Sequence, residues 1–166
     1  MADINWCCKQ KDGIRLIEPN DNLAQGYMKM AEEALGTMNR EKYYNLKFAI
    51  SACYYSMYYS VYAVLMKIGV KCEIHSCTLE FMKFALSSFY PQEDITTINK
   101  AFNARSTAQY YIDRIVTKED SNFIIEKAPF FINKSREILS KINEEDILLI
   151  RKKVEEARNR SSHPKT

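Results

Sequence analysis

Glycine and proline are scarce in this chain, with four of each among 166 residues. A loop-rich all-β protein or a disordered chain would carry many more, so both classes are set aside. An excess of one charge is also missing. Twenty-four basic and 21 acidic side chains leave a net +3, which permits anion or nucleic-acid binding without arguing for it. The first residues, MADINWCCKQ, lack the basic-then-apolar layout of a secretion signal. The cysteines, Cys7, Cys8, Cys53, Cys72 and Cys77, are odd in number, and are read as reduced thiols of a cytoplasmic protein. A Gly-rich phosphate loop, a serine-triad pattern and paired catalytic carboxylates are absent, so no cofactor is expected. The length suits one domain with a real core and is short for two.

What is present is helical periodicity in nearly every segment. From Asn20 to Met38 the positions Leu23, Tyr27, Met30, Ala31, Ala34, Leu35 and Met38 share a face, with Asn20 or Asp21 as cap. A second helix is expected from about Glu41 to Ile68, stopped by Gly69. Ser76 is placed as the cap of a third, carrying Leu79, Met82, Ala85, Leu86 and Phe89 and closed by Pro91. A fourth is expected over Asp94 to Val116, with Ile95, Ile98, Ala101, Phe102, Ala104, Ala108, Ile112 and Ile115 in one arc. Thr117 or Asp120 opens a fifth, which Pro129 should kink or restart. Asn143 caps a last helix with Ile147, Ile150, Val154 and Ala157 inward. The fold class is therefore all-α, an antiparallel up-and-down bundle of four to five core helices plus a C-terminal helix. The chain divides into an N-terminal segment (1–19) packed on the bundle, the bundle (20–142), and a C-terminal helix with a basic tail (143–166). In the first segment Trp6, Ile14, Leu16 and Ile17 are the packing candidates.

Residues 48–66, FAISACYYSMYYSVYAVLM, hold no charge and five tyrosines. The length nearly matches a membrane span, but tyrosines and serines at mid-bilayer argue against one. An all-round apolar helix in a soluble protein is buried on several sides. Tyr54, Tyr58 and Tyr62 form one stripe, Tyr55 and Tyr59 the next. Ala52, Ser56, Ser60 and Ala63 form a small-residue stripe where a neighbouring helix can approach. One chain of this size should cover only part of such a helix, so a second copy is expected to cover more. A row of ligand-facing hydroxyls is the alternative.

The run ACYYSMYYSVYAVLMKIGV, then HS six residues past Gly69, then Phe81, resembles the signature of the HEPN domain family. RSTAQYY (Arg105 to Tyr111) is similar to its R-x-x-A-D-Y, with Gln109 in place of the aspartate, and Ala128 and Phe131 match A-x-x-F. The resemblance implies a helical bundle that dimerises through its long helices, and often a small nucleotidyltransferase as partner. Some members are RNA-cleaving toxins of toxin–antitoxin systems; others are binding or regulatory partners. The expected function is a dimeric module that binds nucleotide or RNA. The alternatives are a metal-independent endoribonuclease toxin and a structural dimer without ligand.

Arg105 lies inside an apolar arc, where a guanidinium needs partners. It is either tied to tyrosine hydroxyls, carbonyls or a carboxylate, or it anchors a phosphate. His75, at a helix start, is a loop-tying residue, a phosphate contact or an acid–base group. The ligand-binding candidates are Arg105, His75, Tyr54, Tyr58, Tyr110 and Tyr111. Catalytic family members use R-x(4–6)-H, in which the arginine holds phosphate and the histidine helps the 2′-hydroxyl attack it. The literal match is RNRSSH, making Arg158 and His163 the candidate catalytic pair. Cys72, His75 and Cys77 form C-x2-H-x-C, which is no standard zinc spacing, so no metal is expected. The C-terminal bases, Arg151 among them, are read as a solvated helix face.

Overall fold

The computed structural model describes residues 3–162. Seven helices and one two-stranded sheet lie among them: α1 Ile4–Lys9, β1 Arg15–Leu16, α2 Asp21–Glu41, α3 Leu46–Ile68, β2 Val70–Lys71, α4 His75–Ala85, α5 Gln92–Tyr110, α6 Lys118–Lys141 and α7 Glu144–Ser162. The all-α bundle expected from periodicity is what forms. No helix among the described residues is long and apolar enough to cross a membrane.

The helix starts are set by short polar side chains that satisfy otherwise orphaned backbone donors. Asn20 Oδ1 accepts from Leu23 N at 2.9 Å, and Thr117 Oγ1 accepts from Asp120 N at 3.1 Å. Asn143 and Asp146 cap each other reciprocally, with Asp146 N donating to Asn143 Oδ1 and Asn143 N to Asp146 Oδ2. The second helix begins later than expected, because Asn45 breaks the chain and caps Phe48 N. Gly69 ends that helix at φ +79°. Ser76 is not a cap: α4 starts at His75, two residues earlier than that cap implies, behind Ile74 and without a side-chain cap, and Pro91 opens α5 rather than closing α4. Helix α6 runs unbroken through Pro129. Helix α5 stops at Tyr110, so Ile112 and Ile115 leave the apolar arc and stand exposed. On α2 the inward face is carried by Ala24 and Met28, while Leu23 and Met30 face out.

Helix α3 is the axis of the bundle and packs on α2, α5 and α6. Its small-residue stripe works as expected. Ser60 Oγ lies 2.9 Å from Ser135 Oγ of α6, and Cys53, outside that stripe, donates from Sγ to Ile124 O. The chain's own helices cover most of this helix: Tyr54, Tyr58 and Tyr62 are buried, and Tyr55 and Tyr59 half-buried. Each large side chain so buried contributes roughly 1.5–3 kcal/mol. The part of α3 that the chain's own helices leave partly open is the face of Ala52, Tyr55 and Tyr59.

The N-terminal segment packs beside α4 and α7. Ile14 is buried, whereas Trp6 keeps 44% of its surface exposed. Cys7 and Cys77 are joined as a disulfide with Cα atoms 5.5 Å apart. This corrects the reading of five reduced thiols; Cys8, Cys53 and Cys72 are free. The bond ties α1 to the first turn of α4.

Candidate functional site

His75 is positioned by a tightly held connection. Strand β2 pairs with β1, Arg15 opposite Lys71 and Leu16 opposite Val70. Glu73 N donates to Asp12 O, Cys72 N donates to the Tyr62 hydroxyl at 3.3 Å, and Thr78 Oγ1 points back to the Cys72 and Ile74 carbonyls. The chain thus arrives at α4 with His75 against the tyrosine stripe. Its Nδ1 shares a 2.7 Å hydrogen bond with Tyr54 Oη. Its ring stacks on Tyr58, with centroids 4.2 Å apart and planes 3° from parallel.

Arg105 approaches the same stripe from α5. One Nη2 donates to the Tyr55 hydroxyl at 2.8 Å. The guanidinium carbon lies 5.4 Å from the Tyr55 ring centre, 5.9 Å from Tyr54 and 5.2 Å from Tyr110, within the range of cation–π attraction. Its Nε is buried without a hydrogen-bond partner. Among the described residues no carboxylate forms an ion pair with Arg105.

Burial raises the Tyr54 and Tyr58 phenols far above their ordinary range, with neighbouring tyrosines adding to the effect and Arg105 and Thr78 opposing it respectively. Tyr62 is pushed up to about 12, again mainly by burial. These hydroxyls stay protonated and act as neutral donors and acceptors. His75 is held below its ordinary 6.5 by burial and then by the Arg105 charge, so near neutral pH it is uncharged. An unfolded chain binds this proton more readily than the folded one, so stability should fall as pH drops below about 6.5 and level off below the depressed value. Urea melts from pH 8 to pH 5 should show that fall, and His75→Gln should remove a share of it. An identical pH slope in the variant would contradict this.

The structure brings His75, Arg105, Tyr54, Tyr58 and Tyr110 together. It adds Tyr55, a member of the second tyrosine stripe outside the expected ligand set, whose position next to Tyr54 is the sequence signal for it. Tyr111 is not part of the group: it lies beyond the end of α5, half-exposed, with the Arg114 guanidinium 4.2 Å from its ring centre. Arg158 is exposed on α7 and lines a shallow depression with Leu16, Glu155 and Asn159. His163 lies outside the described residues. Cys72 Sγ turns to Ile74 O while Cys77 is bonded to Cys7. Among the described residues no three His, Cys, Asp or Glu side chains are grouped to hold a metal ion.

The sequence profile of the HEPN domain matches residues 24–139, from α2 to near the end of α6. The chain belongs to the HEPN family. A relative from Methanocaldococcus jannaschii, named "Putative toxin MJ0142", is 31% identical over 109 residues, covering 64% of this chain and 73% of the relative. Within the matched region lie the tyrosine helix, His75 and Arg105, so the cluster sits in the part of the chain that defines the HEPN fold. Arg158 and Asn159 lie outside it.

Proposed function

We propose that this HEPN protein is a dimeric helical module that binds a nucleotide or RNA, with Arg105 holding phosphate. One observation carries the reading. Arg105 is a half-buried cation with one hydroxyl partner, one orphaned N–H and no carboxylate among the described residues. Such a group gains from an anion, and the guanidinium fork fits phosphate in two-point fashion. Beside it the half-buried faces of Tyr55 and Tyr59, stacked on each other at 5.5 Å, offer a surface on which a base can stack. Neutral His75, held through Nδ1 by the buried Tyr54 hydroxyl, adds no charge that competes with Arg105 for the anion. The family resemblance adds a nucleotidyltransferase-type partner, a toxin–antitoxin or related system, and a cytoplasmic place of action.

Fluorescence anisotropy with labelled ATP and with a short single-stranded RNA tests the reading. Arg105→Ala should weaken binding by about 10- to 100-fold, the loss of a charge-assisted hydrogen bond of roughly 1.5–3 kcal/mol. Arg105→Lys should recover only part of it. No binding of either probe by the unaltered protein would leave a structural dimer without ligand as the better account.

A second reading is favoured by the name of the M. jannaschii relative: a metal-independent endoribonuclease toxin using Arg158 and His163 in RNRSSH. Incubation with mixed RNA in EDTA separates the two. Cleavage abolished by His163→Ala supports the nuclease, and intact RNA removes it.

A further inference from the structure

Between the start of α3 and the segment that follows α5 the surface is hollow and apolar. A groove of about 370 Å³ is floored by the buried Ile50 and Ala108 and walled by Leu46, Ile112 and Ile115. A second hollow of about 240 Å³ continues it past Phe48, with Lys47 and Ala108 lining both. The walls stand open to solvent: Phe48, Ile112 and Ile115 are 66%, 98% and 88% exposed. Single exposed apolar side chains are ordinary, but several around one concave floor mark an interaction site.

The charge along the groove has one sign. Lys47 and Arg114 line it, and no carboxylate does among the described residues. Neither cation has an ion pair among those residues. Arg114 rests over the Tyr111 ring instead, and Asp113, its neighbour in the chain, does not line the groove. Nor does Lys47 serve its own helix. It stands in the first turn of α3, which holds no acidic residue, and a cation there opposes the helix dipole. Both charges are free to meet an incoming group.

We infer that this groove docks an acidic, apolar segment of a partner protein. Such a segment brings a few aliphatic or aromatic side chains for the floor and carboxylates for Lys47 and Arg114. The inference goes beyond the Arg105 reading and does not rest on it. Three features select this occupant. A small apolar ligand needs enclosure over most of its surface, whereas walls as open as Ile112 and Ile115 need an occupant with covering bulk of its own. A bilayer surface is flat on this scale and would leave the hollow above Ile50 and Ala108 unfilled. RNA would meet the two cations but has no aliphatic side chains for the floor. Side chains projecting from a protein segment fill a groove of this kind, and flanking carboxylates fix its direction.

Selection of a random peptide library, displayed on phage, against the full chain tests this. The selected peptides should be rich in Leu, Ile and Phe beside Asp and Glu. Fluorescence anisotropy with the leading peptide then reads the site. Ile112→Asp, and Lys47→Glu combined with Arg114→Glu, should each weaken binding by about 10-fold or more. Melting temperatures should not change, because all three side chains are exposed. Phe130→Asp, at an exposed position on α6, should bind as the unaltered chain does. The charge-reversed protein should in turn prefer the same peptide with lysines in place of its carboxylates. Selection of no peptide, selection of basic peptides, or binding indifferent to these substitutions overturns the assignment. Displacement of the peptide by phosphatidylserine vesicles would give the groove to a membrane surface, and displacement by single-stranded RNA in the Arg105→Ala background would give it to nucleic acid. An affinity that falls as protein concentration rises would give it to a second copy. Each of these also overturns the assignment, while the ATP and RNA titrations judge Arg105 separately.

Discussion

Replacing Gly69 by alanine should destabilise the protein by about 2–5 kcal/mol, from two separate causes. Gly69 ends α3 at φ +79°, ψ 47°, and its N–H reaches back to the Leu65 and Met66 carbonyls. A side chain at such a left-handed position costs roughly 1–2 kcal/mol. The second cause is crowding. An added Cβ would fall 2.5 Å from the Ile17 carbonyl oxygen and 2.8 Å from Pro19 N, and would overlap the Arg151 guanidinium. Arg151 cannot retreat without loss, because its Nη1 donates to the carbonyls of Ile17, Ile68 and Gly69 at 2.7, 3.1 and 2.9 Å. Forcing atoms into a packed site of this kind costs roughly 1–3 kcal/mol. For a chain of this size the melting temperature should drop by about 5–20 °C. Arg151→Ala alone should also destabilise, by leaving the three carbonyls short of a charged donor. The double variant should cost less than the sum of the two, because the crowding partner is gone. Simple additivity, or a Gly69→Ala shift under about 0.5 kcal/mol, would contradict this account.

The Gly69 turn shows where the sequence was readable and where it was not. The stop itself is local: a glycine after a long apolar run, and periodicity identified it. The clamp on it is not local. Arg151 is 82 to 134 residues from its three carbonyls, so on sequence it looked like one of several bases on a solvated face. The same division holds elsewhere. Asn20, Thr117 and Asn143 announce their helices because a cap acts within three residues. The Cys7–Cys77 bond spans 70 residues, and its pairing could not be deduced from five cysteines. The end of α5 misled for a different reason. Ile112 and Ile115 continue the helical spacing and no glycine or proline follows Tyr110, so nothing in the pattern marks a break. The apolar side chains that periodicity assigned to the core are instead the ones exposed at the bundle end. Of the site, Arg105 was legible as a charge in an apolar arc and Tyr54 and Tyr58 as a stripe. Their meeting with His75 depends on how β2 pairs with β1, which no local pattern shows.

The second large effect is expected in the bundle centre, where three hydroxyls meet. Tyr90 is fully buried, and its Oη lies 2.7 Å from Ser135 Oγ; Ser135 also reaches Phe131 O at 3.2 Å and Ser60 Oγ at 2.9 Å. Ser60 has the Met57 carbonyl at 2.8 Å as well. Three hydroxyl protons therefore serve four contacts. The arrangement that satisfies every group has Tyr90 donating to Ser135, Ser135 to Phe131 O or Ser60, and Ser60 to Met57 O or Ser135. Burial raises the Tyr90 phenol well above its ordinary range, which keeps this donor protonated. Ser135→Ala removes the acceptor that Tyr90 uses. Ser60 keeps Met57 O, but the Tyr90 hydroxyl is left buried and unpaired, a loss of about 1–3 kcal/mol. Because α3, α6 and the α4–α5 connection all meet here, the loss should appear as a lowered midpoint of a single cooperative transition rather than as local fraying. The decisive comparison is Ser135→Ala with Tyr90→Phe. The phenylalanine keeps the ring packed on Phe131, 5.5 Å away, and removes the orphaned hydroxyl. The double variant should therefore recover about 1 kcal/mol or more relative to the sum of the single changes. Equal and additive losses in urea melts would mean that water reaches Tyr90, and the sealed three-hydroxyl chain would have to be abandoned.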